Sequence, residues 1–155
     1  MKQILSFLGL AIFLLCCAGE ASSQDSELQF VELHRGYYMN GRPYTKKQTK
    51  IITSQADYEA ELAFYWNETP TSVDFSTGKV LLVDMGMRSN GGYSISVTSV
   101  HANTDGFVTA NVELLKPGSR CFTTQALTNP YQFVYIPSLE EILVTETVRV
   151  NRCRP

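Results

Sequence analysis

From Lys79 onward the chain alternates between short β-patterned runs and turn residues. Residues 79–87, KVLLVDMGM, are nearly continuous in apolar side chains, the pattern of a strand covered on both faces. Residues 93–100, YSISVTSV, alternate instead, with Tyr93, Ile95 and Val97 on one face; Val100 falls one position out of phase, and a bulge near Ser99 would restore it. Residues 107–115, FVTANVELL, alternate through Val108, Ala110, Val112 and Leu114 before Pro117-Gly118 closes the run. FTTQAL (122–127), YQFVYIP (131–137) and EILVTETVRVNRC (141–153) read as the last strands.

The earlier half holds a β-prone stretch at 28–36, a loop rich in Gly, Asn, Pro and Tyr at 36–44, and a short strand around KIIT. The period then changes. Ser54 is placed to cap a helix with Asp57 three residues on, and Tyr58, Leu62, Tyr65 and Trp66 recur at helical spacing, so a helix is expected over about residues 54–67 with Trp66 as its core anchor. One helix ahead of several short strands predicts an α+β fold: a mainly antiparallel β-sheet or sandwich.

Between two of the expected strands lies Asn90-Gly91-Gly92-Tyr93. Asn-Gly between β-prone runs signals a hairpin, because a type I′ turn needs positive φ at both centre positions. One glycine would serve that turn, so the second raises another possibility, a backbone held close to another surface.

The ends narrow the setting. Lys2, an apolar run from about Ile4 to Ala18 and then small residues form the layout of a secretory signal peptide over residues 1–23, with the run too short for a comfortable membrane span. Residues 24–155 are then expected to form one domain with its core in 73–153, exported to the periplasm or the extracellular space without stable membrane insertion. Cys16 and Cys17 fall in the leader, leaving Cys121 and Cys153, which in an oxidising compartment are expected to form a disulfide. Two cysteines without a histidine cluster cannot complete a zinc site. The formal net charge of −2 lacks the basic face that phosphate binding requires, which argues against nucleic acid as a partner.

Candidate chemistry is sparse. His34 and His101 are the only histidines, Asp74 and Asp84 flank one expected strand, and no G-x-S-x-G, H-E-x-x-H or P-loop pattern occurs. No catalytic residue, metal or cofactor is therefore assigned. Asn67-Glu68-Thr69 matches the glycosylation sequon, followed directly by Pro70. The concentration of tyrosine on turns carries more information: Tyr37, Tyr38 and Tyr44 share one loop, and Tyr93 follows the glycine pair. Tyrosines on turns supply stiff contact area with little entropy loss on binding.

Asp74-Phe75 before the apolar strand, Gly91-Gly92-Tyr93 opening the next, Pro130-Tyr131 entering a late strand and Ile136-Pro137 closing it occur in an order that resembles the C-terminal domain of the PrcB family, subunits associated with secreted protease complexes. Ser89-Asn90 stands where those proteins commonly have Pro-Thr. The resemblance implies a non-enzymatic role, binding and stabilising a protease partner, and no catalytic residues carry over from it. The Gly-Tyr turn is also similar to a loop of chagasin-type cysteine protease inhibitors. The expected function is an exported protein-binding module that docks through Asn90, Gly91, Gly92, Tyr93, Tyr37 and Tyr38. A cleft-blocking protease inhibitor is the alternative, and a small hydrolase using His34 or His101 a more distant one.

Overall fold

The computed structural model describes residues 25–40 and 46–153, so the expected signal peptide and Tyr44 lie outside the described residues. In chain order the elements are β1 (Ser26–Glu27), β2 (Val31–Gly36), β3 (Gln48–Ile52), α1 (Gln55–Leu62), β4 (Lys79–Asp84), β5 (Ser94–Ala102), β6 (Phe107–Pro117), β7 (Tyr131–Ile136) and β8 (Glu141–Asn151). Two four-stranded sheets form, ordered β1-β5-β6-β8 and β2-β7-β4-β3. Every pairing is antiparallel except β6 with β8. The fold is the expected α+β sandwich, with one helix among the described residues.

Side-chain alternation builds three layers. Leu81 and Val83 of β4 and Val134 and Ile136 of β7 face the other sheet, where they meet Ile95, Val97, Val108, Ala110, Val112 and Leu114. The opposite faces of the same two strands present Val80, Leu82, Tyr131 and Phe133 to Ile52 and to Tyr58, Leu62 and Tyr65 in and just after the helix. The continuous apolar run at the start of β4 thus has its cause: both faces of the strand are covered. At about 1.5–3 kcal/mol for each large apolar side chain withdrawn from water, β4 and β7 are the most heavily stabilised strands.

The phase break at Val100 is a bulge, with pairing to β6 shifting between Val97 and Ser99. The helix begins as expected, Ser54 accepting from the Asp57 backbone N–H at 3.2 Å, but it ends at Leu62 rather than near residue 67. Phe64 and Tyr65 donate three residues back, to Glu61 and Leu62, and this tighter winding carries Tyr65 into the core and turns Trp66 outward. Tyr65 is therefore the anchor and Trp66, 39 % exposed, is not.

Two further expectations are corrected. Residues 122–127 form no strand, and only an isolated bridge between Arg88 and Thr128 adjoins them. Nor is Asn90-Gly91 a hairpin turn. Strands β4 and β5 lie in different sheets, so residues 85–93 cross between them, and the positive φ in this connection belongs to Gly86 (74°). A crossover of this kind does not need the mirror-image turn that joins paired neighbours.

Candidate functional site

At one end of the sandwich β2 and β4 leave their sheet, β7 enters it, and β5 starts beside the end of β6. Backbone hydrogen bonds bind these segments together. Asn129 N–H donates to Tyr37 C=O (2.7 Å), Arg88 and Thr128 exchange bonds at 2.7 and 3.0 Å, and Gly91 N–H donates to Thr124 C=O (3.0 Å). The Thr128 hydroxyl donates to Asn90 C=O at 2.9 Å. The Cys121–Cys153 disulfide is formed, tying the β6–β7 connection to the chain beyond β8. Because β6 and β8 are parallel, their C-terminal ends lie together, and this places the two cysteines within reach.

Beneath this end sits Asp84, the last residue of β4, fully buried. Its carboxylate accepts from the Tyr65 hydroxyl at 2.7 Å, Asn129 Nδ2 at 2.8 Å and Gly86 N–H at 2.7 Å. The positive φ at Gly86 turns that N–H back onto Asp84. Burial, reinforced by the hydrogen bond to Asp84, raises the pKa of Tyr65, so its hydroxyl remains a donor; Gln48 Nε2 donates to the same oxygen at 2.8 Å. Burial and then the charge of Asp84 push the Tyr131 pKa up to about 12. A buried carboxylate is tolerated only when its oxygens are satisfied, and here donors arrive from the helix turn, the β4 exit and the β7 entry. Asp84 therefore holds those three segments to one another.

Above Asp84 the exposed Tyr37 and Tyr38 separate two concavities. On one side Gly91, Gly92, Tyr93, Leu115, Thr124 and Thr128 form with them a groove of about 400 Å³. On the other, His34, Tyr65, Trp66, Glu68 and Tyr131 help form a recess of about 340 Å³. The His34 ring lies 4.5 Å from Trp66 and stacks on Tyr131 at 5.6 Å. Burial lowers the His34 pKa, opposed by the charges of Glu32 and Glu68.

Of the six residues expected to meet a partner, Tyr37, Tyr38, Gly91, Gly92 and Tyr93 line the same groove. Asn90 does not line it: its side-chain oxygen is buried, with no hydrogen-bond partner among the described residues. The glycine pair answers a packing need. A Cβ on Gly91 would stand 2.3 Å from Thr124 Oγ1, and one on Gly92 would stand 2.6 Å from Thr123 Cγ2 and 3.0 Å from Pro117 Cβ. The surface held close to this backbone is the chain's own β6–β7 connection. Tyr93 is half-buried against the inter-sheet core, with the Arg88 guanidinium 5.7 Å from its ring centre.

The other candidate groups are dispersed. His34 belongs to β2, while His101, in β5 of the other sheet, pairs with the Ser99 hydroxyl at 3.1 Å. Asp74 sits at the opposite end of β4 from Asp84, accepting from Ser76 and Thr77 in an exposed turn, so the two carboxylates form no pair. Among the described residues no group of three or more His, Cys, Asp or Glu side chains is placed to hold a metal ion, and no helix is long and apolar enough to cross a membrane.

Sequence reasoning missed the outward-facing Trp66, Phe122 and Leu127, the last two 105 % and 57 % exposed. It also missed the role of Asp84. An acid ending an otherwise apolar strand was the available signal for Asp84. Nothing local distinguishes the three exposed side chains from core residues.

Residues 79–137 match the family model described as PrcB C-terminal. The match runs from the first residue of β4 to the residue after β7, and so spans β4, β5, β6 and β7, the central strands of the two sheets. No curated protein and no solved structure matches the chain.

Proposed function

We propose that the chain is an exported, non-enzymatic binding module that docks on a protein partner, a secreted or periplasmic protease by preference, through the end of the sandwich organised around Asp84. The PrcB C-terminal match fits a domain associated with a protease complex in general terms. The observation that carries the reading is the ridge of Tyr37 and Tyr38, 43 % and 65 % exposed, between two concavities. Exposed aromatics beside pockets are where binding energy concentrates in protein interfaces, because a stiff ring buries a large area at small entropic cost. The disulfide suits an oxidising compartment.

The cleft-blocking inhibitor is the weaker reading. An inhibitory loop must enter a cleft, whereas Gly91 and its neighbours are hydrogen-bonded to Thr124 and Thr128 and packed against Thr123 and Pro117. Such a backbone forms the wall of a groove more readily than a projecting finger.

The test is affinity capture from the native host's envelope and culture fluid with the disulfide-bonded chain and with a Tyr37→Ala/Tyr38→Ala variant. A protein retained by the first and lost by the folded second supports docking through the ridge. Equal retention overturns it. Stoichiometric inhibition of papain-like or subtilisin-like proteases by the purified chain would favour the inhibitor instead.

A further inference from the structure

The outer edges of the two sheets are not alike. β1 has two residues, β2 carries a register shift between Glu32 and His34, and β3 is five residues long with Lys50 on it and Lys47 just before it. Short length, bulges and lysine are the usual means of keeping a free edge from pairing with another chain. β8 has none of these three, and the one charge on its inner face, Glu146, is paired with Lys47 of its own chain. It is eleven residues long, EILVTETVRVN, without Lys, Gly or Pro, and it stays in register with β6 from Glu141 to Asn151. Its other edge pairs with no strand among the described residues, and Leu143, Val148 and Val150 on it are 42 %, 53 % and 58 % exposed.

We propose that two copies of this chain pair through this edge, β8 against β8 and antiparallel, about a two-fold axis at Thr145. A two-fold contact must be self-complementary, and this strand is. With Thr145 opposite itself, Glu141 falls opposite Arg149 of the second copy, and Arg149 opposite its Glu141. Both side chains lie on the same exposed face, and opposite charges directly across a strand pair are favourable. Ile142 then meets Val148, placing an exposed valine beside a buried isoleucine on the inner face. Sliding one step in one direction sets Glu146 against Glu146, and one step in the other sets Arg149 against Leu139. Arg149 also binds Glu113 at 2.8 Å within its own chain, and a guanidinium has donors enough for both carboxylates. This contact lies on the long edge of the sheet and is separate from the tyrosine ridge, so it does not rest on the docking reading.

Sedimentation equilibrium of the disulfide-bonded chain tests it. The wild type is expected to dimerise. Thr145→Lys, which sets two lysines opposite each other, and Glu141→Arg are each expected to raise the dimer dissociation constant at least about tenfold. Both positions are exposed, so the circular dichroism should not change. Adding Arg149→Glu and Glu113→Gln to Glu141→Arg should recover the dimer, because the pair across the axis is then reversed rather than broken and residue 149 no longer faces a like charge within its own chain. A monomeric wild type, a dimer indifferent to both single variants, or a charge reversal that fails to recover association would each overturn the proposal.

Discussion

The side-chain carbonyl of Gln132, on β7, accepts the backbone N–H of Val97, on β5, at 2.7 Å across the layer between the sheets. Val97 is where the ladder to β6 begins to slip, so its N–H points into the sandwich in need of an acceptor. Gln132 supplies it, and its Nε2 donates to Glu32 at 2.6 Å. The bulge and the buried glutamine belong to one arrangement.

Replacing Gln132 with leucine keeps similar bulk but leaves that N–H buried and unpaired. The expected loss is about 1–3 kcal/mol, read as a lower urea midpoint with an unchanged slope. A midpoint equal to wild type would mean that the N–H finds another acceptor.

Tyr65→Phe removes one donor from the buried Asp84 carboxylate and should cost about 1.5–3 kcal/mol, the range for hydrogen bonds to charged groups. Asp84→Asn should also destabilise. If the two groups act through each other, the double variant will lose less than the sum, with a coupling of at least about 0.5 kcal/mol in a double-mutant cycle.

Reduction of Cys121–Cys153, which spans 32 residues, should lower stability by about 3–4 kcal/mol if the effect comes from loop entropy in the unfolded chain. Chemical denaturation with and without reductant measures it. A shift under about 1 kcal/mol would place the constraint elsewhere.

The glycines of the crossover should fail for different reasons. Gly86→Ala meets positive φ and should cost about 1–2 kcal/mol whatever its neighbours. Gly92→Ala meets Thr123 Cγ2 and Pro117, an overpacking cost of about 1–3 kcal/mol. Thr123→Ser deletes that methyl group and should recover part of the Gly92→Ala loss but none of the Gly86→Ala loss.

The lowered pKa of His34 gives stability a direction in pH. Between its folded value and the unfolded value near 6.5, the unfolded chain binds more protons, so this contribution is complete above about pH 7 and declines as pH falls through the unfolded pKa toward the folded one. Denaturation midpoints at about pH 7.5 and pH 5.5 should differ more for the wild type than for His34→Asn. An identical difference would remove His34 as the cause.

Much of the architecture was legible along the chain because strand periodicity is local. The double-sided burial of β4, the bulge after Val97, the cap at Ser54 and the pairing of Cys121 with Cys153 follow from side-chain spacing, turn chemistry and the expectation of an oxidising compartment. The match to the PrcB C-terminal family model covers the central strands, where that periodicity is strongest. The candidate site was legible only in part. Tyrosines and glycines mark loops, but loops far apart in sequence meet only when strands order themselves.

What the amino acids determined unaided was the covered faces of β4, β5 and β6 and the chain's need for a turn, since these depend on neighbours within a few positions. The tertiary structure alone decided that β4 and β5 enter different sheets, which makes residues 85–93 a crossover and Gly92 a packing residue. It also decided that Tyr65 turns inward and Trp66 outward, and that Asp84 gathers donors from three distant segments. These outcomes rest on which surfaces meet across the sandwich, and an alternation of polar and apolar residues states only that a face must be covered, not by what.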